Sequence, residues 1–145
     1  MKITAWFDGS CEPRNPGGTM RYGSFIKIDN KEAATLYGRV PLNGKDKSLG
    51  TNNWAEHYAA QRIIEWLIQN NHQSSNITIY GDSNMAVNQL LGKWKIKSGA
   101  YAETARESLI LLNQFKVKPV IQWIPREQNE IADALSKLDP SNSSG

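Results

Sequence analysis

Apolar and polar residues alternate in several short stretches of this chain, and such alternation predicts β-strands. Two of these stretches flank Asp29-Asn30-Lys31, a sequence typical of a hairpin turn, so three antiparallel strands are expected first. The predicted strands are Lys2–Phe7, Tyr22–Ile28, Glu32–Val40, Ile77–Tyr80 and Pro119–Trp123.

Apolar residues spaced three or four apart predict helices between and after the later strands. The predicted helices are Asn52 to about Asn70, Ser83–Leu91, about Ala100 to Phe115 and about Asn129 to Lys137, and Pro41–Gly50 is predicted to be a loop. The resulting order, βββαβααβα, predicts an α/β domain. A helix-containing crossover joins the first sheet strands to the fourth, so parallel pairing is expected there.

Composition limits the kind of protein. The chain has 145 residues, 39% of them hydrophobic, which suits one domain; we assign it to residues 1–139 and expect the polar stretch 140–145 to be disordered. A single cysteine, no signal pattern and no apolar run near the ~20 residues of a membrane span predict a soluble cytoplasmic protein. Cys11 is not favoured as a nucleophile, because neither His57 nor His72 has the spacing of a partner base. The net charge of +3 permits an acidic polymer as partner without demanding one.

Two aspartates directly follow predicted strands. Asp8 ends the first strand before a turn expected at Gly9-Ser10, and Asp82 follows the fourth strand, with Ser83 suited to cap the next helix. Parallel neighbouring strands end at the same edge of a sheet, so the two carboxylates are expected to meet. Taken singly, each Asp is also an ordinary turn or cap residue.

Two further acids lie on predicted helices. Glu56 shares a helical stripe with apolar residues, where a carboxylate needs a partner. Asp133 lies beside the expected apolar stripe of the last helix and could point sideways into a shared cleft; singly, acids on helices usually face water. That stripe comprises Ile131, Ala134, Leu135 and Leu138.

Convergence of these four carboxylates would require cations to offset their repulsion. Oxygen ligands without a His or Cys cluster favour Mg²⁺ or Mn²⁺ over zinc. Two such ions ~3.5–4 Å apart activate water and stabilise the leaving oxygen in phosphodiester hydrolysis. The residue types therefore predict a metal-dependent nuclease.

Four motifs occur in a specific order: Asp8-Gly9-Ser10-Cys11 with Asn15-Pro16-Gly17-Gly18, then Thr51-Asn52-Asn53-x-Ala55-Glu56, then Asp82-Ser83, then Asn129-x-x-Ala132-Asp133. Over about residues 2–138 the chain resembles the type 1 ribonucleases H. The resemblance implies a ribonuclease H-like fold, with three antiparallel and two parallel strands in one mixed sheet and helices on both faces. It also implies two Mg²⁺ ions, replaceable by Mn²⁺: Asp8 bridges both, Asp133 completes the water-activating site, and Glu56 and Asp82 complete the other.

The resemblance implies an endoribonuclease that hydrolyses the RNA strand of RNA–DNA hybrids, leaves 5′-phosphate and 3′-hydroxyl ends, and removes RNA primers and R-loops. We expect a monomer with no obligate protein partner. The alternatives are a nucleic-acid-binding domain without catalysis, a related nuclease that cuts DNA, and a domain of a reverse transcriptase. The four acids argue against the first alternative, and Thr51-Asn52-Asn53 argues against the second.

Several polar residues resemble the family's substrate contacts. Asn15, Asn52 and Asn53 correspond to residues that contact RNA sugars, and Thr51 to one that holds a phosphate of the DNA strand. The same residues have structural alternatives, because Asn15 lies in a good turn sequence and Thr51 or Asn52 is a good helix cap. The two kinds of role can coexist.

A basic segment, Lys93-Trp94-Lys95-Ile96-Lys97, is the expected contact for a DNA backbone, through charge and aromatic stacking. Many bacterial relatives carry a longer basic protrusion here, so weaker hybrid affinity is expected. The alternative is a solvated edge with Trp94 packed inward.

Two other positions depart from the family pattern. An Arg that often precedes the phosphate-binding threonine is Leu49 here, and Lys47 is its candidate substitute. The last loop lacks the family's His and resembles the short-loop branch, in which Arg126 supplies positive charge near the cleaved phosphate. Alternatively, Arg126 pairs with Glu127 or Glu130.

Overall fold

A mixed sheet forms the centre of the protein, in a computed structural model that describes residues 1–139. Its strands are β1 (Lys2–Glu12), β2 (Thr19–Ile28), β3 (Lys31–Arg39), β4 (Asn76–Gly81) and β5 (Val120–Trp123). They lie in the order β3-β2-β1-β4-β5; β1, β2 and β3 pair antiparallel, and β4 pairs parallel with β1 and β5. The predicted fold class is confirmed. The tail predicted at 140–145 lies outside the described residues.

The helices lie on both faces of this sheet. Within residues 1–139 they are α1 (Asn52–Gln69), α2 (Asn84–Leu90), α3 (Ala102–Leu112) and α4 (Glu130–Leu135), with short 3-10 turns at Lys47–Leu49 and Arg126–Gln128. Gly9 of β1 faces α1. Gly23 of β2 pairs with Asp8, the residue that precedes Gly9, and Gly23 faces α4. Successive strand residues point to opposite faces, so α1 and α4 cover opposite sides.

Most predicted boundaries differ from the observed ones by only a few residues, as expected at frayed element ends. The hairpin turn is confirmed at Asp29 and Asn30, whose φ angles of 49° and 67° lie in the left-handed region that such turns require. Neither 3-10 turn was predicted. Among residues 1–139 no helix is both long and apolar enough to cross a membrane.

The end of β1 differs most from its prediction. Parallel pairing of β1 with β4 stops at Phe7, whereas antiparallel pairing with β2 continues to Glu12. The turn predicted at Gly9-Ser10 is therefore wrong, because β2 still supplies hydrogen-bond partners after β4 has ended. Asp8 nevertheless lies where the parallel pair ends, which is the feature that matters for the site.

The main core lies between the sheet and α1. Ile3, Ala5 and Phe7 of β1 pack against apolar residues of α1 such as Ala59 and Ile63, and all five are at most 1% exposed. This dry layer holds β1 and α1, the two elements that carry Asp8 and Glu56, in a fixed relation.

The apolar stripe predicted for the last helix is wrong in three of its four members. The exposed members are Ile131, Ala134 and Leu138. Leu135, the fourth member, is buried as predicted, together with Ala132, because α4 rests on Gly23 of β2. A Cβ at Gly23 would lie 2.5 Å from the Ala132 carbonyl oxygen and 2.6 Å from the Leu135 Cβ. Backbone contact at a glycine thus determines which side of α4 faces the sheet.

Candidate metal centre and nucleic-acid cleft

The four predicted acids line one cleft of about 240 Å³. Asp8, Glu56 and Asp82 each present one carboxylate oxygen, and these three oxygens lie within 4.8 Å of one another. Asp133 reaches the same cleft from α4 on the other side of the sheet. The structure therefore brings together the carboxylates that the sequence pattern singled out.

Gly9 allows α1 to come this close to β1. A Cβ at Gly9 would lie 2.2 Å from the amide nitrogen of Glu56 and 2.3 Å from the carbonyl carbon of Ala55. No side chain fits in that space, so the backbone of α1 rests directly on β1 beside Asp8. The contact delivers Glu56 to the cleft.

Burial and mutual repulsion favour protonation of these acids. Burial, followed by the charges of Asp82 and Glu56, raises the pKa of Asp8 from 3.8 to about 8, although the Gly9 amide donates to its carboxylate at 2.9 Å. Burial also raises the pKa of Glu56 from 4.5 to about 7, against a hydrogen bond with the Ser83 side chain that lowers it. The pKa of Asp82 is raised as well, chiefly by burial. The cluster holds excess negative charge that a bound cation would neutralise.

The donor set fits a hard divalent cation. It consists of carboxylate oxygens, and neither a thiolate nor an imidazole joins the three-oxygen cluster among the described residues. Cys11 is buried and its Sγ donates to the Arg14 carbonyl at 3.3 Å, which does not favour it as a nucleophile. Oxygen ligands of this kind favour Mg²⁺ or Mn²⁺ over zinc.

Arg126 is directed into the cleft. Its Nη2 lies 3.6 Å from Asp133 Oδ1, while 72% of its side chain is exposed. Within residues 1–139 we find no ion pair between Arg126 and either Glu127 or Glu130, so that alternative is not observed. The long, exposed contact with Asp133 contributes little to stability and leaves the guanidinium able to bind an anion.

Asn129 is a site residue that the sequence identifies only as part of a motif. It is 1% exposed, and its Nδ2 donates to the Phe7 carbonyl at 3.0 Å and to Asp82 Oδ2 at 3.3 Å. It therefore joins the start of α4 to β1 and holds the Asp82 carboxylate. The available signal was an amide one helical turn before Asp133.

Lys137 was also missed. Its Nζ lies 2.6 Å from Glu12 Oε1, and both side chains line the acidic cleft. No sequence signal identifies this pair, because the two residues meet only after α4 has packed on the sheet.

The predicted substrate residues at the start of α1 lie beside the cleft. Asn15 Nδ2 donates to Asn52 Oδ1 at 2.8 Å, and the Asn52 amide donates to Asn15 Oδ1 at 3.2 Å. Thr51 Oγ1 accepts from the Trp54 amide at 3.1 Å, which confirms its role as the cap of α1. Asn53 is partly buried, and its Oδ1 has no hydrogen-bond partner among the described residues.

The basic segment borders a second cleft of about 520 Å³, lined by Met85, Gln89, Lys93, Trp94, Lys95, Lys97 and Tyr101. Trp94 is 45% exposed, so the inward-packed alternative is wrong. Lys47, the candidate substitute for the family's Arg, lines another cavity with Thr19 and Arg39 and does not reach the acidic cleft.

Sequence comparison agrees with this geometry. Residues 38–138 match the family model described as reverse transcriptase-like. The chain belongs to this family. It is also 36% identical over 135 residues to the uncharacterized protein YpeP of Bacillus subtilis (strain 168), in an alignment that covers 93% of this chain and 57% of YpeP. The chain thus spans little more than half the length of that relative.

Solved structures with the same architecture include ribonucleases H1 and the foamy viral protease-reverse transcriptase. The protein from the halophilic archaeon Halobacterium salinarum NRC-1 has a TM-score of 0.75 at 26% identity, covering 93% of this chain and 94% of that one. LC11 ribonuclease H1, solved in complex with an RNA/DNA hybrid, has a TM-score of 0.80 at 23% identity, covering 99% of both chains. These matches confirm the ribonuclease H-like fold and the resemblance to the type 1 enzymes.

Proposed function

We propose that this protein is a metal-dependent endoribonuclease that hydrolyses the RNA strand of RNA–DNA hybrids. The observation that carries the proposal is the convergence of four carboxylates on one cleft of a ribonuclease H-like fold. The hybrid bound to LC11 ribonuclease H1 supports the choice of substrate class. Residues 1–139 would form the catalytic domain, and removal of RNA primers and R-loops would be its role.

The acids would hold two Mg²⁺ ions, or Mn²⁺ in their place. When bound, the ions supply Lewis acidity for an in-line displacement that leaves a 5′-phosphate and a 3′-hydroxyl. Asp8 presents a carboxylate oxygen within 4.8 Å of those of Glu56 and Asp82, and it would be a ligand of both ions. Asp133 would complete one site, and Glu56 and Asp82 the other.

Other residues of the chain bind and orient the substrate. Arg126 balances charge on the cleaved phosphate, because its guanidinium extends over the cleft beside Asp133. Asn15 hydrogen-bonds to Asn52, which lines the cleft, and Asn15, Asn52 and Asn53 would read RNA 2′-hydroxyls.

Thr51 combines both of its predicted roles. Its oxygen accepts the capping hydrogen bond from the Trp54 amide, and a hydroxyl that accepts can also donate, here to a phosphate of the DNA strand. Further along the DNA strand, Lys93 and Lys95 bind backbone phosphates. The exposed Trp94 ring makes an aromatic contact with the same strand.

One assay tests the proposal. End-labelled RNA–DNA hybrid, double-stranded RNA, single-stranded RNA and duplex DNA are each incubated with Mg²⁺, Mn²⁺ or a chelator. We expect cleavage of the hybrid's RNA strand with either metal, no cleavage in chelator, and intact duplex DNA. Undiminished cleavage in chelator, or hybrid binding without cleavage under any metal, would exclude the proposed enzyme.

A further inference from the structure

The loop at residues 92–100, here called the basic loop, carries the three lysines of the second cleft without regular secondary structure. It starts at Gly92, whose φ of +76° ends α2 in the left-handed conformation. The Lys93 and Trp94 amides then both donate to the Asn88 carbonyl, at 2.9 and 3.1 Å. Its start is therefore fixed by backbone contacts to α2.

The rest of the basic loop is held by two side chains. Tyr101 Oη accepts from the Lys97 amide at 2.9 Å and from Gln89 Nε2 at 3.2 Å. The same Gln89 nitrogen lies 3.5 Å from the Lys95 carbonyl oxygen. Gln89 is only 4% exposed, so these contacts form the floor of the second cleft beneath the lysines.

His57 supports both side chains from α1. It is fully buried, its Nε2 lies 2.7 Å from Gln89 Oε1, and its ring stacks on Tyr101 with centroids 5.6 Å apart. A carbonyl can only accept, so Gln89 turns its NH₂ toward Lys95 and its oxygen toward His57, which then carries a proton on Nε2. This assignment gives each of these hydrogen bonds one donor and one acceptor.

This network joins the helix that carries Glu56 to the basic loop. We propose that Tyr101 and Gln89, supported by His57, are positioning residues that hold Lys95 and Lys97 in the arrangement that binds a nucleic-acid backbone. The inference rests on the proposed function, whose substrate supplies that backbone. Lysine side chains are flexible, so fixing the backbone beneath them reduces the ordering that binding would otherwise require.

Tyr101→Phe is the sharpest test, because it keeps the ring on His57 and removes only the hydroxyl. In the free protein we expect the Lys97 amide to exchange with deuterium about tenfold faster or more, since its acceptor is gone. Tyr37→Phe on β3 is the matched control, because no hydrogen bond of the Tyr37 hydroxyl is found within residues 1–139, and it should leave that exchange rate unchanged.

Binding is then measured by fluorescence anisotropy with an RNA–DNA hybrid, in chelator at low ionic strength. We expect Tyr101→Phe to weaken hybrid binding about three- to tenfold, the range of one hydrogen bond. In a Lys95→Ala/Lys97→Ala background the same change should have almost no effect, because Tyr101 acts through those lysines. With Mg²⁺, KM should rise by a similar factor and kcat should stay constant.

Three outcomes separate this inference from the proposed function. The inference alone would be overturned if the parent binds and cleaves the hybrid while Tyr101→Phe binds it as tightly as the parent does. The same holds if Tyr101→Phe weakens binding by the same factor in the parent and in the Lys95→Ala/Lys97→Ala background. A parent that binds without cleaving, with the expected Tyr101→Phe loss, would overturn the enzyme and support the positioning role. A parent that does not bind the hybrid would overturn both.

Discussion

Asp8 shows the conflict between folding and catalysis at the scale of one residue. It is 6% exposed, beside two further carboxylates, and it holds its proton to about pH 8 without a cation. Burying such a group costs stability, and the same geometry is the one we propose to hold a metal ion.

Asp8→Asn should abolish cleavage while leaving hybrid binding measurable. The change keeps the side-chain volume but removes the ligand proposed to bridge both ions, and a loss of at least about 10³-fold corresponds to the several kcal/mol that such ions supply. The phosphate contacts proposed for the basic loop are untouched, so binding should persist. Single-turnover cleavage and anisotropy measure the two properties; near-normal turnover would show that the site is assigned to the wrong residues.

Asn129→Ala should lower both stability and metal affinity. It leaves the buried Phe7 carbonyl without its donor at 3.0 Å, which costs about 1–3 kcal/mol of unfolding free energy. It also frees the Asp82 carboxylate, and loss of such a supporting contact typically weakens metal binding about 10–100-fold.

The control for Asn129→Ala is Asn113→Ala at the exposed end of α3, with an expected change within about 0.5 kcal/mol. Urea titration and Mg²⁺-dependent activity measure the two effects. Equal stabilities for the two variants would exclude the proposed bridging role of Asn129.

At the scale of secondary-structure elements, two glycines set the distances between helices and sheet. Gly9 admits the backbone of α1 on one face, and Gly23 admits that of α4 on the other. The two contacts bring Glu56 and Asp133 to the same cleft from helices on opposite faces of the sheet. The shape of the cleft therefore depends on the close approach of the α1 and α4 backbones to the sheet as well as on the four acids.

Gly9→Ala should destabilise the fold and impair the site together. The added Cβ would overlap the Glu56 amide nitrogen at 2.2 Å, so α1 must move, at a cost of about 3 kcal/mol or more. Gly50→Ala is the matched control, since its Cβ would meet nothing closer than 3.3 Å. Denaturant unfolding of both variants tests the prediction, and equal midpoints would contradict the close packing described.

At the scale of the whole molecule, the acids make stability depend on pH. The pKa of the Asp8 carboxyl is 3.8 in the unfolded chain and about 8 in the folded protein. The pKa of Glu56 rises likewise from 4.5 to about 7. Between these values the folded state binds more protons than the unfolded state, so rising pH favours unfolding. Stability of the metal-free protein should fall from about pH 4 to pH 8 through these groups.

Melting temperatures in chelator at low ionic strength measure this fall, and Asp8→Asn provides the comparison. The variant lacks the largest of these titrations, so its stability should decline less with pH and exceed that of the parent most clearly near pH 8. Asp82→Asn should also stabilise the metal-free protein. Lower stability of both variants at pH 8 would show that the acids do not repel one another.

Graded Mg²⁺ should raise the melting temperature of the parent, because a cation that binds only the folded state stabilises it by mass action. The increment should be larger at pH 8 than at pH 5, where protons compete for the same oxygens, and smaller in Asp8→Asn. A parent whose melting temperature does not respond to Mg²⁺ at pH 8 would refute the metal site.

Local pattern in the sequence was sufficient to predict the strands and α-helices and to single out the four acids as candidates. Alternation and helical spacing report which positions are buried, and an acid such as Glu56 on an apolar stripe marks a position that folding alone does not explain. The hairpin at Asp29-Asn30 was equally local, since its turn requires residues that tolerate positive φ.

Only the tertiary structure decided which distant groups meet. The continuation of β1 to Glu12 depends on β2, and the buried side of α4 depends on backbone contact at Gly23. The Asn129 side chain donates a hydrogen bond to Asp82, and the Lys97 amide donates one to the Tyr101 hydroxyl. The periodicity of apolar residues does not predict either bond. Periodicity encodes burial along one element, whereas these contacts depend on how elements pack against one another, and that packing is a property of the whole chain.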